Sequence, residues 1–256
     1  MRYLKSLLQS IFSAFGFVLL SRETHTRLVK NAELARVFAI LTRLGSSANV
    51  EDFKKHLPLS KSQLQQDLAS LTVAGFKRDG FFVEFGATDG VTLSNTYLLE
   101  KNFGWTGILA EPSQEWHSRL RQNRSAEIST DAVWSQTGLT LQFLENAELS
   151  TLVEFKNSDQ HTRRGRTYDV STISLNDLLA LHAAPEYIDF MSVDTEGSEL
   201  EVLQELDFSR YKFGFICVEH NFTEARSKIH DLLSNNGYRR VLEDVSEWDD
   251  WFVPAN

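Results

Sequence analysis

The chain has 256 residues, 42% of them hydrophobic, with 13 glycines and only 4 prolines, a composition that excludes a disordered, collagen-like or low-complexity protein. A single cysteine, Cys217, excludes an internal disulfide and any multi-cysteine zinc site, so nothing marks an oxidising compartment and the expected location is cytoplasmic or peripheral to a membrane. The net charge of −9 is unevenly spread: residues 1–78 carry 12 Lys and Arg against 5 Asp and Glu, whereas residues 79–256 carry 14 against 30.

The acidic body argues against nucleic acid as the main partner, because neutralising phosphates needs a cationic face. The basic front end suits either an anionic membrane surface or docking on the acidic body itself. In chain order, Leu4, Leu7, Leu8, Ile11, Phe12, Phe15, Val18 and Leu19 recur at spacings of three and four, which predicts an amphipathic helix over residues 4–20. Its apolar run is shorter than the roughly 20 residues a spanning helix needs, and no A-x-A-like cleavage site precedes Ser21-Arg22-Glu23. Three readings stay open: a helix packed on the domain, contact of residues 4–20 with a membrane surface, and a signal segment.

A second helix is expected through Leu28, Leu34, Val37, Phe38, Leu41 and Leu44, ending at the turn Gly45-Ser46-Ser47. A third is expected from Ser60, with Ser60-Lys61-Ser62-Gln63 as a capping box ahead of Leu64, Leu68 and Leu71. Residues 1–76 thus read as helix and loop without chemistry of their own.

From Phe81 the pattern becomes short apolar runs separated by helical stretches. Strands are expected at 81–85, 107–111, 187–194 and 213–219, each with an acid at or near its C-terminal end, and helices at 116–122, 175–181, 200–206 and 229–233. This alternation implies βαβ units and a parallel sheet, with ligands outside the carboxyl ends of the strands. The first strand runs into Glu84-Phe85-Gly86-Ala87-Thr88-Asp89-Gly90, with a helix expected over 92–100. Its spacing, E-x-G-x-x-x-G, is neither the dinucleotide fingerprint nor a phosphate loop. Acids on both sides of the turn would repel pyrophosphate and suit a positively charged ligand. Glu111, about 20 residues on at the end of the next strand, stands where such folds hold ribose hydroxyls. Together these features point to S-adenosylmethionine, a sulfonium cation attached to a ribose. The plainer reading is that Gly86 and Gly90 only shape a tight turn.

Gln66-Asp67, Gly80 through Gly90, Leu93-Ser94-Asn95-Thr96, Leu99-Glu100, Gly104-Trp105-Thr106-Gly107, Ala110-Glu111-Pro112, Asp194-Thr195-Glu196-Gly197-Ser198-Glu199 and Glu219-His220-Asn221 occur in an order and spacing that resembles the FkbM-type methyltransferases. The resemblance covers roughly residues 60–254. It implies an α/β, Rossmann-like methyltransferase domain over 60–256, preceded by a helical extension over 1–59. It further implies a mostly parallel seven-stranded sheet flanked by helices, whose last strand is antiparallel, with 237–242 and 248–253 closing it. The implied activity is S-adenosylmethionine-dependent O-methylation of a hydroxyl on a sugar, glycan or related natural product. By position, Glu84, Gly86, Asp89 and Gly90 would surround the methionine portion, Glu111 the ribose, and Asp131, Ala132 and Val133, at the end of the third strand, the adenine, with Ala87, Pro112 and Asp194 completing the cofactor set. Asp131 also fits an ordinary turn.

For a hydroxyl acceptor the enzyme must align the nucleophile and remove a proton. Asp194, Glu196, Glu219 and His220 converge if their two strands are neighbours. In one version His220 accepts the proton, oriented by Glu196 or Glu219; in the other the carboxylates hold Mg²⁺, which acidifies the hydroxyl. Against both stands the reading in which Glu196 and Glu199 face solvent on the following helix. The basic segment 161–168 reads as a lid whose arginines grip an anionic group or as a solvated loop, and 139–144 and 170–173 as short strands. Trp248 and Trp251 either line a sugar site or close the sheet. A non-catalytic protein retaining the methyltransferase fold, and a membrane-attached component of glycan processing, are the alternatives in function.

Overall fold

A computed structural model describes residues 21–45 and 49–255 of the chain. The helix expected over 4–20, and Ser46-Ser47 of the expected turn, lie outside the described residues. Helix α1 (Arg22–Ala39) runs into a π-helical turn at Ile40–Leu44 and is followed by α2 (Val50–His56) and α3 (Gln66–Val73). The body then alternates as β1 (Phe81–Phe85), α4 (Tyr97–Phe103), β2 (Thr106–Ala110), α5 (His117–Asn123) and β3 (Glu127–Ser129). An excursion of four strands follows: β4 (Ala132–Trp134), β5 (Thr140–Glu145), β6 (Thr151–Leu152) and β7 (Arg166–Ser174). The chain ends with α6 (Leu175–Leu181), β8 (Tyr187–Val193), α7 (Glu199–Leu203), β9 (Lys212–Glu219), α8 (Ala225–Asn235), β10 (Tyr238–Val241) and β11 (Asp249–Pro254).

The main sheet has seven strands in the order β10-β11-β9-β8-β1-β2-β3. Only β11 runs against its neighbours, so the sheet is the mostly parallel, helix-flanked one expected, with the antiparallel strand last in the chain but second from the edge. Successive residues of β1 feed opposite cores, Val83 and Phe85 one and Phe82 the other. That is the two-residue period of extended chain, and burial on both faces is why these strands read as continuous apolar runs. From β1 the chain crosses to β2 on one side, and from β8 to β9 on the other. The C-terminal ends of β1 and β8 therefore face a crevice at the point where strand order reverses, the place where open α/β sheets bind ligands.

Several local expectations are corrected. Helix α3 begins at Gln66 rather than Ser60, because the Ser60 hydroxyl and the Lys61 N–H donate to the buried Asp67 carboxylate at 2.7 and 3.3 Å. Residues 60–65 wrap around that carboxylate, and Gln65 sits at φ 57°. The helix expected from Thr92 starts only at Tyr97, since the intervening residues bind Glu84. Ala132 and Val133 belong not to the third strand but to β4, which pairs with β7 in a separate sheet of order β4-β7-β5-β6. The strands expected at 139–144 and 170–173 are partners in that sheet, with Thr140 opposite Ser171 and Glu145 opposite Arg166.

The front end docks on the body through both apolar contact and charge. Ala39, Ile40, Phe53, Leu64, Leu68 and Leu71 share a core with Phe82, Leu109 and Trp251. Arg36, 4% exposed, donates to the Val245 carbonyl (2.9 Å) and to Gln65 Oε1 (3.2 Å) and pairs with Glu247. Arg43 pairs with Asp244 in solvent. No helix among the described residues is long and apolar enough to cross a membrane. Removing the buried arginine leaves three acceptors short of a donor, whereas the exposed pair is screened by water. Arg36→Ala is therefore expected to lower stability by about 1–3 kcal/mol and Arg43→Ala by less than about 1 kcal/mol, read from urea unfolding midpoints.

Candidate active site

A cavity of about 320 Å³ opens at the switch point, within the size range of small-molecule sites. Its floor is the β1 end and the loop after it, with Glu84, Gly86, Thr88, Leu93 and Asn95 in the wall. Glu111, Pro112, Ala132, Val133, Phe143 and Leu152 line one side, and Asp194, Glu196, Glu219, Asn221, Trp248 and Asp249 the other. Gln63 and Gln66 reach it from the front end.

Gly86, at φ +73°, lets the β1 loop pass directly against β8. A Cβ there would stand 2.2 Å from the Asp194 carbonyl oxygen, so no other residue fits without moving backbone. Gly90, at φ +78°, faces away from the cavity, where a Cβ would meet Arg124 Cγ at 2.5 Å and Leu120 at 2.7 Å. Asp89 also lies outside the wall. Burial pushes its carboxyl up, but the N–H groups of Thr92 and Val91 and the Thr92 hydroxyl, at 2.7–3.0 Å, outweigh this and hold it below its ordinary value. Ala87 is packed in the core, and Asp131 sits in the turn between β3 and β4, its N–H donated to Ser129 Oγ at 3.3 Å. These four residues, expected around the cofactor, thus shape the surrounding turns and are not part of the wall.

Glu84 is in the wall, yet its carboxylate is already engaged. It accepts from Ser94 Oγ (3.0 and 3.2 Å), Asn95 N–H (2.6 Å) and Thr96 Oγ1 (2.5 Å). Arg124, with a fully buried side chain, lies 3.6 Å away and also binds Glu100, Gly90 O, Ser94 and Thr96. Arg124 therefore organises the whole loop, although nothing local in the sequence distinguishes it from a surface arginine.

Glu111 is 4% exposed and accepts the Thr88 and Ser113 N–H groups at 2.7 and 2.8 Å. Burial raises its pKa to about 7 against the pull of those N–H groups. Two oxygens with one N–H each keep lone pairs for ligand hydroxyls.

The acids on the other side form a cluster. Carboxylate oxygens of Asp194, Glu196 and Glu219 lie within 4.8 Å of one another. Burial and the neighbouring Glu196, Asp249 and Glu199 charges raise Asp194 well above the usual carboxylate range, with a hydrogen bond to Glu219 opposing this. Burial and Asp194 raise Glu219 likewise, and its Oε2 has no partner. Like charges this close share a proton rather than both ionise. Glu196, at φ 59°, is raised by burial to about 7 even though Arg163 binds it at 2.5 Å. Glu199 does not face solvent either: it is 4% exposed and closes the turn by accepting from Thr195 N–H and Oγ1 and Gly197 N–H at 2.9–3.0 Å.

His220 does not reach the cavity. Its Nδ1 accepts the Phe222 N–H at 2.9 Å, and its Nε2 faces Asp250 at 3.7 Å. Burial lowers its pKa to about 4 despite Asp250, whose carboxylate is already paired with Arg226 and Arg240. The arginine expected to grip a ligand anion instead holds anions of the protein itself: Arg163 binds both oxygens of Asp159 (2.6 and 2.8 Å) as well as Glu196. His161 alone of that basic segment joins the wall. Trp248 lines the cavity and Trp251 closes the sheet against Phe215. Gln63, Asn95, Asn221 and Asp249 were not anticipated, because only the fold brings them to the crevice.

A mostly parallel sheet with a cavity at the switch point defines an α/β protein of the Rossmann-like type. The FkbM methyltransferase domain matches residues 84–240, and the chain belongs to that family. Among solved structures it is similar to a precorrin-6Y C5,15-methyltransferase from Geobacter metallireducens GS-15, with 10% identity over 73% of this chain and 85% of that one and a TM-score of 0.41. It is also similar to a SAM-dependent methyltransferase from Aquifex aeolicus, with 12% identity over 80% and 96% and a TM-score of 0.37. A third likeness is to the plantazolicin methyltransferase BpumL, solved in complex with a triazolic desmethylPZN analog and SAH, at 10% identity over 90% and 99% and a TM-score of 0.35. At these scores the likenesses carry nothing about ligand or substrate. No curated protein matches the sequence.

The raised carboxyl of Glu111 has a stability consequence. With a folded-state pKa of about 7 against 4.5 for the free group, the folded protein holds this proton more tightly than the unfolded chain does. The corresponding stability is present below about pH 4.5 and lost as pH rises toward 7. Cofactor-free protein should lose roughly 3 kcal/mol through this group across that range, and Glu111→Gln should flatten the pH dependence of the melting temperature. An identical slope in the variant would contradict it.

Proposed function

We propose that the protein is an S-adenosylmethionine-dependent O-methyltransferase that acts on a hydroxyl of a sugar, glycan or related natural product. The observation that carries this reading is that one cavity contains both the glycine-floored β1 loop, pressed against the Asp194 backbone, and the closely spaced, buried carboxyls of Asp194 and Glu219. The residues present fit the cofactor. Glu111 has acceptor capacity for ribose hydroxyls, Ala132, Val133 and Phe143 offer an apolar wall for a purine, and the surplus of carboxylates suits a cation. When bound, S-adenosylmethionine supplies a methyl group on a positively charged sulfur.

The chain's own contribution is orientation and proton transfer. Burial and mutual repulsion hold both the Asp194 and Glu219 carboxyls above their ordinary values, and the ionised member of the pair takes the proton from the acceptor oxygen. A pair raised toward neutrality is a better base for a weakly acidic hydroxyl than an ordinary surface carboxylate. Gln63, Asn221 and Trp248 stand at the acid side of the cavity, where an acceptor would be positioned. His220, neutral and turned into the protein, supports the β9 end through its bond to Phe222.

A second reading rests on the short separation of the Asp194, Glu196 and Glu219 oxygens: the same group would hold Mg²⁺ and acidify the hydroxyl through the metal. Arg163 already binds Glu196, which favours the metal-free version. A chelator that abolishes activity, with recovery on adding Mg²⁺, would select the metal.

Isothermal titration should show S-adenosylmethionine binding to the wild type and a loss of at least tenfold in Gly86→Ala; a folded wild type that does not bind refutes the reading. Incubation with labelled cofactor and a panel of glycan, glycolipid and nucleotide-sugar acceptors should yield a product heavier by one methyl. Binding without turnover on any acceptor would favour a non-catalytic role. Glu219→Gln should lower kcat by about 10²–10⁴ with cofactor affinity kept, and His220→Asn by only a few-fold. Equal losses in the two variants would return the base role to His220.

A further inference from the structure

Helix α1 is anchored at one end only. Arg36 and Ala39 are its buried residues, whereas from Ser21 to Ala35 every residue except Thr24 is exposed. A helical stretch this short, with no packed neighbour among the described residues, is marginal in water, because most helix stability in proteins comes from packing one face. The arm also carries apolar side chains that solvent does not favour: Leu28, Leu34 and Phe38 are 50%, 56% and 69% exposed. At 100° per residue, Leu28, Leu34, Ala35 and Phe38 fall within about a third of the helix circumference, with Lys30 at its edge and Arg27 inside it between Leu34 and Phe38.

The charges differ from those at the anchored end. Arg36 and Arg43 are neutralised by Glu247 and Asp244. No ion pair among the described residues engages Arg22, Arg27 or Lys30. In sequence, the chain leading into α1 carries Arg2 and Lys5 and no acid, and its apolar residues recur at spacings of three and four. A second copy of α1 is the poorer partner. Its 18 residues fall short of three heptads, and Thr24 and Asn31 interrupt the apolar stripe, whereas a stable coiled coil needs three to four.

We propose that the outer side of α1, together with the basic, acid-free chain before it, docks the protein on an anionic lipid surface. Leu28, Leu34 and Phe38 enter the interface between headgroups and acyl chains, and Arg22, Arg27 and Lys30 meet lipid phosphates. The acidic catalytic body faces away from the bilayer, which repels it.

Vesicle flotation of the full chain tests this. The wild type should rise with phosphatidylcholine vesicles containing phosphatidylglycerol and remain behind with phosphatidylcholine alone. The exposed-residue variant Leu34→Asp/Phe38→Asp should lose at least about tenfold in partitioning, as should Arg27→Glu/Lys30→Glu. Unchanged thermal unfolding in both variants would show that the fold is intact. A wild type that floats with neither vesicle overturns the proposal, and so does undiminished flotation of the α1 variants. A dimer in light scattering that Leu34→Asp/Phe38→Asp abolishes, without flotation, assigns the stripe to a second copy and also overturns it. None of these readouts depends on methyl transfer, so this proposal and the catalytic reading fail separately.

Discussion

The close approach of two backbones at the centre of the sheet governs the rest of the site. Because Gly86 has no side chain, the loop leaving β1 lies against the carbonyl of Asp194 at the end of β8. That contact brings the turn after β1 and the acids after β8 to one crevice, although more than a hundred residues separate them. The loop on the β1 side is then fixed by Glu84 and Arg124. Their hydrogen bonds to Ser94, Asn95, Thr96 and Gly90 replace the first turn of the helix expected there. An acid at the end of a buried strand can thus serve as a pin for the loop as readily as a ligand contact.

The other side of the cavity is organised by uncompensated charge. Asp194, Glu196, Glu199, Glu219 and Asp249 are gathered with Arg163 as the cation bound to the cluster. Burying several carboxylates with so little compensation is unfavourable, and the excess is relieved by shared protons and by N–H donors such as those of Thr195 and Gly197. The same excess is what the proposed base and the proposed cationic cofactor would use. Arg163 also has a mechanical role. It links the separate four-stranded sheet to the turn after β8, and Thr151 on that sheet donates to the Glu196 carbonyl at 2.9 Å. The inserted sheet and the loop before β7 are therefore tied to the turn after β8 at two points, and residues between 143 and 152 help to wall the cavity.

The basic front end divides into two parts with different partners. Its inner half joins the core beneath the sheet and sends Gln63 and Gln66 toward the cavity, so it takes part in the site despite its helical, chemically plain sequence. Its outer part, as far as it is described (residues 21–35), keeps its charge and apolar side chains in solvent.

By itself the sequence determined the sheet, because strands buried on both faces must be continuously apolar and must alternate with helices to be covered. It also determined the glycine turn and the strand-end acids Glu111, Asp194 and Glu219, whose positions follow from chain direction alone. Only the tertiary structure decided which way each side chain turned. His220 follows Glu219 directly, yet the strand's alternation and the bond to Phe222 carry its ring into the protein, where burial keeps it neutral. Asp89 and Gly90 belong to a ligand-loop pattern, but their partners are the loop's own N–H groups and Arg124. Asn95, Asn221 and Asp249 reached the cavity through contacts between segments remote in sequence. No local pattern encodes such contacts, because they depend on how the finished layers pack.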